Sequence, residues 1–167
     1  GGRIAPLVRG GTGSRSELET QPEFLPDRFE SGTLNAVGQA GWLAGLRWLL
    51  AAGIDEVRRH EEDLAQRLID GLTGMAGVEV YGPRLASDRA AVVSFNIQGR
   101  ECSQVGQLLE ERRGLECRVG LHCAPAAHRT IGTFPAGTVR FSPGAFTSLA
   151  DVDAAFDAVG ELCGKAR

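Results

Sequence analysis

From Ala36 to Ala52 apolar side chains run nearly all the way round a helix. Val37, Trp42, Leu43, Leu46, Trp48, Leu49 and Leu50 leave only Gln39 and Arg47 as strongly polar positions. A helix of this kind has no face to turn to water and has to be covered on several sides. Gly53 ends it. The 35 residues in front carry Gly1, Gly2, Gly10, Gly11, Gly13 and Gly32 with Pro6, Pro22 and Pro26, and show no sustained helical or strand period. An irregular start of that length is unusual for an independent domain. The expectation is that residues 1–35 pack on something outside the chain and that residues 36–167 form a linking helix and a small domain.

The rest of the chain is regular. Ile54, Val57, Leu64, Leu68 and Leu72 form one stripe opposite charged residues, which predicts an amphipathic helix up to Leu72. Val78–Tyr81 and Ala91–Ile97 read as strands around a charged turn at 87–89. Ser103–Arg113, stopped by Gly114, reads as a helix. Short strands are expected at Leu115–Val119 and Thr138–Ser142. Ser148 and Asp151 have the spacing of a capping box ahead of the stripe Leu149, Val152, Phe156, Val159 and Leu162. The order ααββαββα predicts an α/β fold of the α+β kind, with helices packed on a small, mainly antiparallel sheet.

Composition excludes several function classes. With 167 residues, 43% hydrophobic and 23% charged, the chain suits a soluble globular protein. Its net charge of -3 and scattered arginines give no footprint for nucleic acid. No apolar run approaches the roughly 18–20 residues that span a bilayer, so no membrane partner is expected. The N-terminus has neither a basic nor an apolar signal region and no initiating Met, which suggests a truncated or processed chain. Cys102, Cys117, Cys123 and Cys163 are irregularly spaced, as free thiols in a cytoplasmic protein would be.

Candidate chemistry concentrates in Arg118-Val-Gly-Leu-His-Cys-Ala-Pro-Ala-Ala-His128. The thiolate is the nucleophilic form of cysteine, and neighbouring basic groups favour it. Cys123, next to His122 and downstream of Arg118, is therefore the candidate nucleophile, against the plain alternative of a small buried residue. Cys117, His122, Cys123 and His128 match no standard zinc spacing, so no metal is expected. Gly32-Thr33 offers close backbone approach, an amide and a hydroxyl to a phosphate, or simply a turn. Arg140, in the otherwise apolar Val139-Arg-Phe-Ser, needs an anionic partner, either a substrate carboxylate or a structural acid.

Three blocks in this order and spacing carry a family resemblance: Gly10-Gly-Thr-Gly-Ser-Arg-Ser-Glu-Leu-Glu leading to Pro26-Asp-Arg-Phe-Glu-Ser-Gly-Thr-Leu-Asn35, then Arg118-Val-Gly-Leu-His-Cys-Ala-Pro125, then Gly137-Thr-Val-Arg-Phe-Ser142. Together they resemble the class V aminotransferase superfamily of pyridoxal-phosphate enzymes, specifically cysteine desulfurases and selenocysteine lyases, over essentially the whole chain. The departures are Pro125, one residue early, and Phe146-Thr-Ser148 in place of an aromatic-Asn-Thr run.

The resemblance implies that residues 1–35 are the end of a large cofactor-binding domain and that the rest is the C-terminal domain of such a transferase. Gly32 and Thr33 would reach the phosphate of pyridoxal 5'-phosphate in a partner subunit, so a homodimer is implied. Arg140 would hold the carboxylate of an amino-acid substrate, with Arg118 and His122 beside it. Cys123 would take the sulfur as a persulfide, turning cysteine to alanine, and pass it to an acceptor protein. The family's Schiff-base lysine lies in a Ser-x-His-Lys segment that this chain lacks. Its only lysine, Lys165, stands two residues from the C-terminus, so the chain alone is expected to be inactive without a missing N-terminal half. The competing readings are a non-catalytic sulfur-acceptor or interaction module, and a class V aminotransferase or epimerase in which Cys123 is incidental.

Overall fold

A computed structural model describes residues 4–164; Lys165 lies outside the described residues. The chain forms two compact units, Gly1–Ala51 and Ala52–Arg167.

The first unit has one helix among its described residues, α1 (Ala36–Ala52). Asn35 starts it, its Oδ1 accepting the Gly38 amide at 2.9 Å. The irregular segment before it is knitted by one side chain, Gln21, whose Oε1 accepts the Gly10 amide while its Nε2 donates to the Asp27 carbonyl at 2.8 Å. No residue of α1 is buried, although its sequence suits cover on several sides.

The second unit is a two-layer α/β structure. Helix α2 (Ile54–Thr73) leads into β1 (Val78–Tyr81) and β2 (Val93–Ile97), followed by α3 (Cys102–Arg113), β3 (Arg118–Gly120), α4 (Pro125–Thr130), β4 (Thr138–Phe141) and α5 (Leu149–Cys163). The four strands are antiparallel throughout, in the order β1-β2-β4-β3. Helices α2, α3 and α5 pack on the sheet or on each other.

The pleat sorts the side chains. On one face Val93, Phe95, Val139 and Phe141 meet Leu64, Leu68, Leu72, Val105, Leu109 and Val159 in the core, with the Phe95 and Phe141 rings 5.2 Å apart. The alternate residues, Glu79, Tyr81, Ser94, Asn96, Thr138, Arg140 and Arg118, fall on the opposite, polar face. Ser148 and Asp151 form the reciprocal capping box that their spacing predicts for α5.

Two elements differ from the sequence expectation. Strand β3 is shorter and later than Leu115–Val119, because pairing begins only where β4 runs opposite, at Arg118↔Arg140. Leu115 packs against the core instead. Helix α4, expected as loop, has six residues, too few to show a period. Pro125 at its start is the signal that marks it, since a missing N–H is harmless in the first turn.

The β3–β4 pairing depends on a backbone contact. Gly137, at φ 80, lies so close to Gly120 that a Cβ would stand 2.4 Å from the Gly120 carbonyl carbon. Neither the backbone conformation nor the space admits a side chain. Gly137→Ala is expected to destabilise the second unit by about 2 kcal/mol or more, read from the urea unfolding midpoint.

Candidate active site on the polar face of the sheet

Strands β3 and β4 place Arg118 and Arg140 directly opposite each other, with Ser94 of β2 opposite Arg140 on its other side. Like charges in such a pair repel, and the Nε of Arg140 is buried without a hydrogen-bond partner. Two guanidiniums in register, one of them unsatisfied, make a seat for an anion such as a carboxylate.

Beyond β3 the chain turns sharply from Leu121 to Ala124, closed by the Ala124 amide donating to the Leu121 carbonyl at 2.8 Å. The central residues, His122 and Cys123, have φ of 50° and 58°. Cys123 is exposed at the tip. Beneath it His122 Nε2 and Thr138 Oγ1 share a hydrogen bond of 3.1 Å, and the His122 and His128 rings lie 5.5 Å apart. His128 is buried and bonded through Nδ1 to Thr133 Oγ1 at 2.6 Å. Asn96 closes the arrangement by donating to the Gly137 carbonyl at 3.0 Å.

The sequence candidates Arg118, His122, Cys123 and Arg140 thus come together at one end of the sheet. Sequence reasoning left out Thr138, Thr133 and Asn96. Thr138 had a usable signal: it stands two residues before Arg140 and therefore on the same face of the strand. Thr133 had none, because its partner His128 is reached only through α4.

Gly32 and Thr33 belong to the first unit. Gly32 has φ of 81° and open space where a Cβ would stand. Its amide donates to the Gly11 carbonyl at 2.7 Å, which leaves the exposed amide and hydroxyl of Thr33 as the groups suited to a phosphate. Among the described residues no three His, Cys, Asp or Glu side chains are placed to hold a metal ion, and no helix is long and apolar enough to cross a membrane.

Comparison with known proteins shows the family. The family model for aminotransferase class-V matches residues 2–155. The chain belongs to that family. The chain is 35% identical to a probable cysteine desulfurase of Pyrococcus abyssi, over 94% of this chain and 38% of the relative. It is 35% identical to probable cysteine desulfurase 2 of Mycobacterium leprae, over 90% of this chain and 36% of the relative. Among solved structures, the apo cysteine desulfurase of Thermococcus onnurineus superposes with a TM-score of 0.77 at 35% identity, over 83% of this chain and 34% of that one. The cysteine desulfurase CsdA of Escherichia coli, in an S-sulfonic acid form, gives 0.77 at 27% identity, over 94% of this chain and 38% of that one. This class-V chain therefore spans little more than a third of the relatives it matches, and its fold is a part of theirs.

Burial holds the His122 imidazole below its ordinary value of 6.5, and the charges of Arg140, His128 and Arg118 push it the same way. The folded state thus keeps His122 neutral, while the unfolded chain protonates near 6.5. Its contribution to stability is present above that value and is lost as pH falls toward the lower folded value. An NMR titration should find the His122 midpoint below 6.5, and Arg140→Ala should raise it.

Proposed function

We propose that this chain is the sulfur-accepting C-terminal part of a pyridoxal-phosphate-dependent cysteine desulfurase, acting within a homodimer and converting cysteine to alanine. The observation that carries the reading is the exposed Cys123, held at the tip of the turn that leaves β3, the strand whose Arg118 lies opposite Arg140. Cysteine desulfurase relatives covering more than nine-tenths of the chain support it. Residues 1–35 then end the large domain, and residues 36–167 are the linking helix and small domain.

Each residue has a task in this reading. Arg140, with Arg118 opposite, grips the substrate carboxylate and fixes the direction in which its thiol points. His122 stands neutral beneath the turn. Cys123 as thiolate attacks the substrate sulfur: a sulfur–sulfur bond forms, the carbon–sulfur bond breaks, and its electron pair stays with the carbon skeleton, which takes up a proton and leaves as alanine. Gly32 and Thr33 would hold the cofactor phosphate. Pyridoxal phosphate, when bound, supplies the electron sink for the amino-acid skeleton. The lysine that anchors it, and the cover for α1, belong to an N-terminal half outside these residues, so the chain alone is inactive.

The experiment is to join the chain to a class-V large domain carrying the Schiff-base lysine and supply cysteine. Alanine and a persulfide on Cys123 are expected. Cys123→Ala should abolish the persulfide and its delivery to an acceptor protein, and Arg140→Ala should raise KM for cysteine at least about tenfold, the loss of a charge-assisted pair. Undiminished turnover of another amino acid by Cys123→Ala would instead identify an aminotransferase or epimerase. Persulfide loading of the isolated chain by a foreign desulfurase, without turnover in the joined protein, would identify a sulfur-acceptor module.

A further inference from the structure

The turn that carries Cys123 has an unusual composition. Both central residues of Leu121–Ala124 have positive φ, yet they are His122 and Cys123, where turns of this hand ordinarily take Gly, Asn or Asp. Side chains of this size reach the left-handed region only when the surroundings impose it. Cys123 itself imposes nothing, since its side chain is exposed.

His122 is the residue held from below. Its Nε2 bonds the hydroxyl of Thr138, which is completely buried in β4. Its ring stands 5.5 Å from that of His128, which is itself fixed by the 2.6 Å bond to buried Thr133. Thr138 lies opposite Gly120, the last residue of β3 before the turn. The hydrogen bond therefore ties the turn to the strand that also carries Arg140, and sets the position of the thiol relative to the two arginines.

We infer that His122 is a positioning residue for Cys123, its hydrogen bond to Thr138 locking the positive-φ turn so that the thiol stands at a fixed place relative to β3 and β4. The inference rests on the reading of Cys123 as the sulfur acceptor. The lock itself is a property of the chain with or without that chemistry.

Two readouts on the full chain test the lock: hydrogen exchange of the Ala124 amide, whose bond to Leu121 closes the turn, and iodoacetamide alkylation of Cys123 followed by peptide mass. Thr138→Val removes the hydroxyl with little change of shape and should speed Ala124 exchange about fivefold to tenfold, the worth of one hydrogen bond. The alkylation rate should change with it, while β4 amides keep their protection. Thr138→Ser should restore both readouts to within about twofold of the parent, since the hydroxyl is all that the lock requires. His122→Phe keeps a ring but no acceptor or donor, and should behave as Thr138→Val does; because His122 lies outside the core it also serves if Thr138→Val fails to fold.

Parent-like exchange in His122→Phe, or a Thr138→Ser protein no better than Thr138→Val, would overturn the lock. In the joined enzyme Thr138→Val should lower kcat for persulfide formation and leave KM for cysteine unchanged, because the carboxylate grip is on Arg140. Faster Ala124 exchange with undiminished kcat would overturn the positioning role of His122, whereas a persulfide that persists in Cys123→Ala would overturn the reading of Cys123 as acceptor.

Discussion

Gly137 and Gly120 lie against each other, and most of the polar face depends on that contact. The Gly120 backbone can come this close only because Gly137 carries no Cβ, while Gly120 itself has φ of 94°. Because Gly137 sits on Gly120, β3 and β4 enter their pairing at one register, and that register brings Arg118 opposite Arg140 and Gly120 opposite Thr138. A shift by one residue would turn Arg140 into the core and Val139 onto the polar face. The same contact decides where β3 ends, and so where the turn of His122 and Cys123 begins.

The two faces of the sheet divide the work. Phe95, Val139 and Phe141 belong to a core that would hold with many polar residues on the other side. The polar face holds groups that a folding core would reject: two opposed guanidiniums, a buried Arg140 Nε without a partner, and the unpaired Asn96 Oδ1 and His122 Nδ1. Unsatisfied buried polar atoms cost stability. Three of them stand against a well-packed opposite face, a local cost to folding that the proposed site would account for.

Legibility followed the same division. The stripes of α2 and α5 and the capping box at Ser148 could be read because helix period and cap spacing are local properties of the chain. The site residues Arg118, Cys123 and Arg140 were legible as types, since a thiol in a basic loop and an arginine in an apolar strand are anomalies of sequence alone. Their geometry was not. That Arg118 faces Arg140 follows from a register set by two glycines seventeen positions apart, and that His122 needs Thr138 follows from a turn whose φ values neither residue prefers. Helix α4 escaped because six residues cannot show a period.

Helix α1 shows the limit from the other side. Trp42 is 70% exposed and Val37 86%, and an isolated helix of its length is only marginally stable in water. Its sequence suits cover on several sides, just as Thr33 offers an exposed amide and hydroxyl. Both point outward from the first unit, whereas the second unit, with a closed core and its own turn lock, holds Cys123 in place through contacts entirely its own. In the proposed reading the presentation of the thiol therefore falls to the second unit and the phosphate contact to the first.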